Sequence, residues 1–139
     1  MTGPGMLPTV TADQVMTALS ALADVIRLIE INGRPLGDAV RFEPIAKVGD
    51  PIEVILAPPS FNYGGNALGP RSMTVEVFVV AIATDLTVHN LIALERGVAD
   101  AIDSSNDVDA TVLGSAPGVW QRGNTSHAAY VISVEVGLP

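Results

Sequence analysis

Met73-Thr-Val-Glu-Val-Phe-Val-Val-Ala-Ile-Ala-Thr84 is the longest β-branched run without a turn signal in this chain of 139 residues. Its first half alternates, with Thr74 and Glu76 on one face and Val75, Val77 and Val79 on the other, and past Phe78 both faces are apolar. Strand side chains alternate with period two, and a strand covered on both sides loses its polar face, so the run reads as a central strand. At about 3.3 Å per residue it reaches roughly 40 Å, longer than a domain of this size needs. Its N-terminal end is therefore expected to project past the core, with Thr74 and Glu76 marking where it leaves.

Ahead of this strand, residues 1–10 form an arm with two Gly and two Pro, and a single domain is expected from 11 to 139. Thr11-Ala-Asp-Gln14 fits a capping box, and Val15, Leu19, Leu22, Ile26 and Ile29 follow as one stripe of an amphipathic helix. That helix should run from about 12 to 29 and stop at Asn32-Gly33, although Val25, Leu28 and Ile31 also allow an extended last turn. Val40–Glu43 alternates as a short edge strand stopped by Pro44, and Ile52–Leu56 is a clearer strand between Pro51 and Pro58. Pro58–Ser72 is expected to be an irregular loop. It holds three Gly and two of the five Phe and Tyr residues, Phe61 and Tyr63. Such a loop is either a surface that orders on a partner or an Ω-loop packed on its own aromatics.

Behind the strand, Asp85 or Thr87 caps a second helix with Val88, Leu91, Ile92, Glu95, Val98, Ala99 and Ile102 along its inner side. Ser104–Asp107 is turn chemistry, Val108–Leu113 a strand, and Gly114–Ser126 a second irregular stretch holding Trp120 and Arg122. Ala128–Val136 closes the chain as a half-buried strand with Tyr130, Ile132, Val134 and Val136 inward. The order predicts an α+β fold: a mainly antiparallel sheet of about four strands with two helices packed on one face.

Hydrophobic residues at 48% make the chain globular, and 7 basic against 15 acidic residues, net charge −8, argue against a surface that grips nucleic acid. Without cysteine there is no disulfide, thiolate metal site or thiol nucleophile. Met1–Pro8 has neither a basic nor an apolar segment, so no secretory signal is expected there. No apolar run reaches the roughly 20 residues of a membrane helix.

Chemistry-bearing motifs are few. Gly64-Gly-Asn-Ala-Leu-Gly69 approaches the phosphate-binding loop, but Pro70-Arg71 and a strand follow where that motif needs Lys, Ser or Thr and a helix. His89 and His127 lack a carboxylate or second His at metal-ligand spacing. His127 with Ser126 or Ser115 is a weak hydrolase candidate, since the strand–Ser–helix elbow is missing. Asp100, Asp103, Asp107 and Asp109 lack the calcium-loop pattern and read as a solvated face. Arg71 and Arg122, in irregular stretches beside strands, serve either as inter-subunit ion-pair partners or for solubility.

The capped helix from Thr11, Pro51-Ile-Glu-Val-Ile-Leu-Ala-Pro-Pro59 leading to Phe61-Asn-Tyr-Gly-Gly65, the strand Met73–Thr84, the helix Thr87–Ile102 and the closing Ala128–Val136 together resemble the tail-terminator family of long-tailed bacteriophages. The resemblance covers most of the chain from about residue 11 and is one of order and texture. It implies a structural virion protein of the neck, not an enzyme, with no cofactor and no metal. The implied assembly is a hexameric ring made in the bacterial host cytoplasm. It caps the tail tube, meets the head–tail connector, and lets DNA through its lumen without specific binding. Expected subunit and partner contacts are Phe61, Asn62, Tyr63, Arg71, Thr74, Glu76, Trp120 and Arg122. The alternatives are another head–tail adaptor, head-completion or minor tail protein, a small ligand-binding α+β domain with Tyr63, Trp120 and Tyr130 lining a pocket, and an enzyme using His127.

Overall fold

The computed structural model describes residues 10–31, 33–42, 52–64, 69–81, 88–122 and 124–139. The expected arm over 1–9, the stop at Pro44, the end of the long strand beyond Ala81 and the cap at Asp85 or Thr87 lie outside these residues.

Helix α1 spans Ala12–Arg27 and opens with the anticipated capping box. The Gln14 N–H donates to Thr11 Oγ1 at 3.2 Å, and the Thr11 N–H donates to Gln14 Oε1 at 2.9 Å. Two of the orphan donors of the first turn are thereby satisfied, and a cap of this kind stabilises by about 1 kcal/mol. Leu19, Leu22, Ala23 and Ile26 form its buried stripe. The helix ends two residues earlier than 29 because Glu30–Ile31 (β1) turns back on Arg34–Pro35 (β2) as a small antiparallel ribbon. Gly33 sits in that turn at φ 78°, a conformation that needs glycine's freedom.

Among the described residues the main sheet contains six strands and is mixed, where about four, mainly antiparallel, were expected. Its members are β3 (Val40–Arg41), β4 (Ile52–Leu56), β5 (Ser60–Tyr63), β6 (Pro70–Ala81), β7 (Ala110–Arg122) and β8 (Thr125–Gly137). The order is β3-β4-β6-β8-β7, with β5 also on β6, and only the β3–β4 pair is parallel. The unexpected strand, β5, comes from the first stretch expected to be irregular, and the second lengthens the expected strands β7 and β8. β5 continues the line of β4 along β6. The Ala57 N–H donates to Glu76 O at 3.0 Å, and the ladder resumes at Ser60↔Thr74 after Pro58-Pro59. Gly114–Ser126 lies within a hairpin of β7 and β8. Pro117 is tolerated there because β7 is a sheet edge, flanked among the described residues by β8 alone.

β6 is central, as its pattern requires. Met73, Val75, Val77 and Val79 are all 0% exposed and point toward the helices. The strand does not leave the core at Thr74 and Glu76. Those residues alternate with buried neighbours and belong to the sheet's other face, while Ser72↔Gly137 keeps even the start of β6 paired to β8. Helix α2 (Val88–Ser104) packs beside α1 on the same side, burying Leu91, Leu94, Glu95, Val98, Ala99 and Ile102. Val88 and Ile92, expected inward, are exposed, and Leu94 takes the inner position. Both helices thus cover one face, with Ile132, Val134 and Val136 completing a single core. Each large aliphatic side chain buried there contributes about 1.5–3 kcal/mol before entropy is counted. No helix among the described residues is long and apolar enough to cross a membrane.

Candidate interaction surface

The face of the sheet opposite the helices is built by the other set of alternating residues, and it divides into two halves. One half is apolar: Ile55, Val80 and Ala129 are buried, with Phe78 and Trp120 packed on them. The two rings lie 4.8 Å apart at 60°, a tilted aromatic pair. Glu53, in the same strand and on the same face as Ile55, is 1% exposed, and Arg41 Nη1 stands 3.6 Å from its carboxylate.

The other half is polar. Cross-strand pairing sets Ser60, Thr74, Glu135 and Thr111 in one row, Asn62 and Ser72 in the row outside it, and Glu76 and Ser133 in the row inside. Asn62 Nδ2 donates to Ser72 Oγ at 3.0 Å and to Thr74 Oγ1 at 3.1 Å, and Ser72 Oγ donates to Glu135 Oε2 at 3.3 Å. Glu76 and Glu135 are both exposed. Among the described residues, neither has an Arg, Lys or His within ion-pair distance.

A bulge between Val112 and Gly114 governs the edge of the sheet. Ahead of it Ala110 and Val112 face the core; beyond it Ser115, Pro117 and Val119 take that side, and Leu113, the extra residue, is 58% exposed. Ser115 Oγ donates to Glu95 Oε1 on α2 at 3.3 Å, and Asp103 Oδ1 accepts the Val112 N–H at 3.0 Å, so both contacts tie α2 to β7 at the bulge. Past that point most of the hairpin is bare. Leu113–Pro117, Val119 and Gln121 on one strand and Asn124–Ser126 and Ala128 on the other are exposed, and among the described residues Thr125–Ala128 pair with β7 only.

The expected contact residues fall into two groups. Asn62, Thr74 and Glu76 come together on the polar half of the helix-free face. Phe61, Tyr63 and Arg71 stand nearby on the β5–β6 hairpin, all exposed, with the Arg71 guanidinium laid against Gly64. Trp120 is at the far, apolar end, and Arg122 closes β7, its side chain outside the described part. Ser60, Ser72, Ser133 and Glu135 share that polar half without being among the expected contacts, although the alternation of Ala128–Val136 already places Ser133 and Glu135 on the outer face.

The other candidate sites do not assemble. Tyr130 packs on the helix-side core, Trp120 on the opposite face and Tyr63 on another strand, so the three line no common pocket. His127 is paired with Trp120 on the helix-free face, whereas Ser115 faces α2. His89 is exposed. Asp100, Asp103, Asp107 and Asp109 are exposed, Asp100 pairing with Arg96 at 3.2 Å, and among the described residues no three His, Asp or Glu converge as metal ligands. A shallow hollow on the outer side of α1, lined by Asp13, Met16, Thr17, Ser20, Ala21 and Asp24, belongs to a single helix and encloses nothing. No protein-family model matches the chain, and no curated protein matches it.

Proposed function

We propose that this chain is the tail terminator of a long-tailed bacteriophage, a structural subunit whose ring caps the tail tube and joins it to the head connector. The observation that carries the reading is that one protomer bears two different exposed surfaces, the polar half of the helix-free sheet face and the outer part of the β7–β8 hairpin. Contacts between unlike surfaces run head to tail, and they close into rings when the rotation permits. The order of elements, read as a resemblance to tail terminators, supports a hexamer. A net charge of −8 suits a lumen past which DNA slides without adhering. In this reading the protein works by assembly, with its own copies, the tube protein and the connector as partners, and takes no cofactor.

Light scattering on the purified protein, alone and with tail tubes, tests this. The expected mass is six protomers, either free or at tube ends. A monomer at every concentration that never associates with tubes refutes it. His127→Ala is expected to leave assembly intact, and loss of assembly in that variant would assign His127 a role the ring does not provide.

A further inference from the structure

Resting on that reading, we infer that the outer half of the β7–β8 hairpin of one copy docks across the polar half of the helix-free sheet face of the next. The first reason is cover. A two-stranded hairpin with bare faces is marginal in water, and beyond the bulge most residues of this one other than Trp120 and its neighbours are exposed, Val119 to 68%. Charge supplies the second reason. From Ala110 to Val134 there is no Asp or Glu in a chain that carries 15, and Arg122 is the single Arg or Lys of that stretch. The receiving surface is the reverse. Glu76 and Glu135 stand exposed among Asn62, Ser72, Thr74 and Ser133, with no basic partner among the described residues. A weakly basic arm and an acidic, hydroxyl-rich platform are complementary.

The two surfaces cannot meet within one copy. The last described β6–β8 pair toward the hairpin tip is Val80↔Ala129, and the platform begins at Ser72↔Gly137. Eight residues of strand separate those points, about 26 Å at 3.3 Å per residue. Contact by simple strand addition along β7 is disfavoured, because Pro117 interrupts that edge. The hairpin therefore engages through its faces, and the contact is between unlike surfaces, as ring closure requires.

Because the chain has no cysteine, disulfide trapping tests the contact cleanly. Copies carrying Thr125→Cys are mixed with copies carrying Ser60→Cys under mild oxidation; both positions are exposed. Mixed dimers should dominate over either self-dimer and over a Thr125→Cys/Met16→Cys control on the outer side of α1. Adding Arg122→Glu to the first copy should lower trapping about tenfold, equivalent to 1.4 kcal/mol, and Glu76→Lys with Glu135→Lys in the second copy should restore it. Thr125→Cys self-dimers in excess, which mean a two-fold hairpin contact, or mixed trapping no faster than the control, overturns the inference. Sixfold masses without mixed trapping overturn this contact and leave the ring. Mixed trapping in a Thr125→Cys/Ser60→Cys double variant that gives only open chains keeps the contact and removes the ring.

Discussion

Replacing Trp120 with Ala removes the one large ring that anchors the outer hairpin to the sheet. Trp120 lies on Ile55, Val80 and Ala129 and meets Phe78 at 4.8 Å. A buried Trp covers about 150–250 Å². Trp120 is only partly buried, so about 120 Å² is lost, worth about 3 kcal/mol at 25 cal/mol per Å². Residual compactness of the unfolded chain trims this to about 2 kcal/mol, and the tilted aromatic pair adds about 1 kcal/mol. The expected cost is therefore about 3 kcal/mol, against a total stability of roughly 7–20 kcal/mol for a chain of this length. The variant still folds, with its urea midpoint about 1.5 M lower at an unchanged slope. Far-UV circular dichroism reads this at a concentration where the protomer stands alone, since association would add its own stabilisation. A double-mutant cycle with Phe78→Ala should give a coupling of about 0.5–1.5 kcal/mol. A loss below about 0.5 kcal/mol, the range of a bland surface substitution, together with zero coupling, would refute the idea that this ring holds the hairpin.

Other perturbations address the frame around that anchor. Thr11→Ala should cost about 1 kcal/mol by breaking the capping box, and Thr11→Ser should recover most of it, as thermal melts will read. Leu22→Ala, at 0% exposure, should cost about 2–5 kcal/mol, whereas Leu28→Ala, at 78% exposure, should stay within about 0.5 kcal/mol; equal effects would contradict the placement of the α1 stripe. Arg41→Ala withdraws a guanidinium that is itself largely buried beside the buried Glu53 and should destabilise by about 3 kcal/mol in urea titrations. Glu53→Gln in the same background should recover part of that loss.

The parts of the fold that could be read in the sequence are those whose pattern is local. The Thr11 cap, the α1 stripe, the alternation of Met73–Val79 and that of Tyr130–Val136 each mark their own burial within a few residues. What escaped depends on distant partners. β5 is exposed throughout and lacks a buried alternating face, and it becomes a strand because the two-proline break lets it continue the β4 line against Pro70–Thr74. The outer half of β7 contains Gly114, Pro117 and Gly118, which read as a loop until the sheet edge makes a Pro acceptable. The bulge at Leu113 reverses the faces, so extrapolating the alternation of Val108–Val112 would misplace everything after it. The parallel β3–β4 pair has no local signature. Among the expected contact residues, Thr74 and Glu76 fall on one face by their alternation, whereas Asn62 lies in a stretch expected to be irregular, and the polar row they share with Glu135 exists only through the β5–β6 and β6–β8 registers.

The proposed function is tested most directly at the end of a tail tube. Negative-stain images of tubes incubated with the protein should show a sixfold ring seated on tube ends, about as wide as the tube. Tubes that remain uncapped beside dispersed monomers would contradict it.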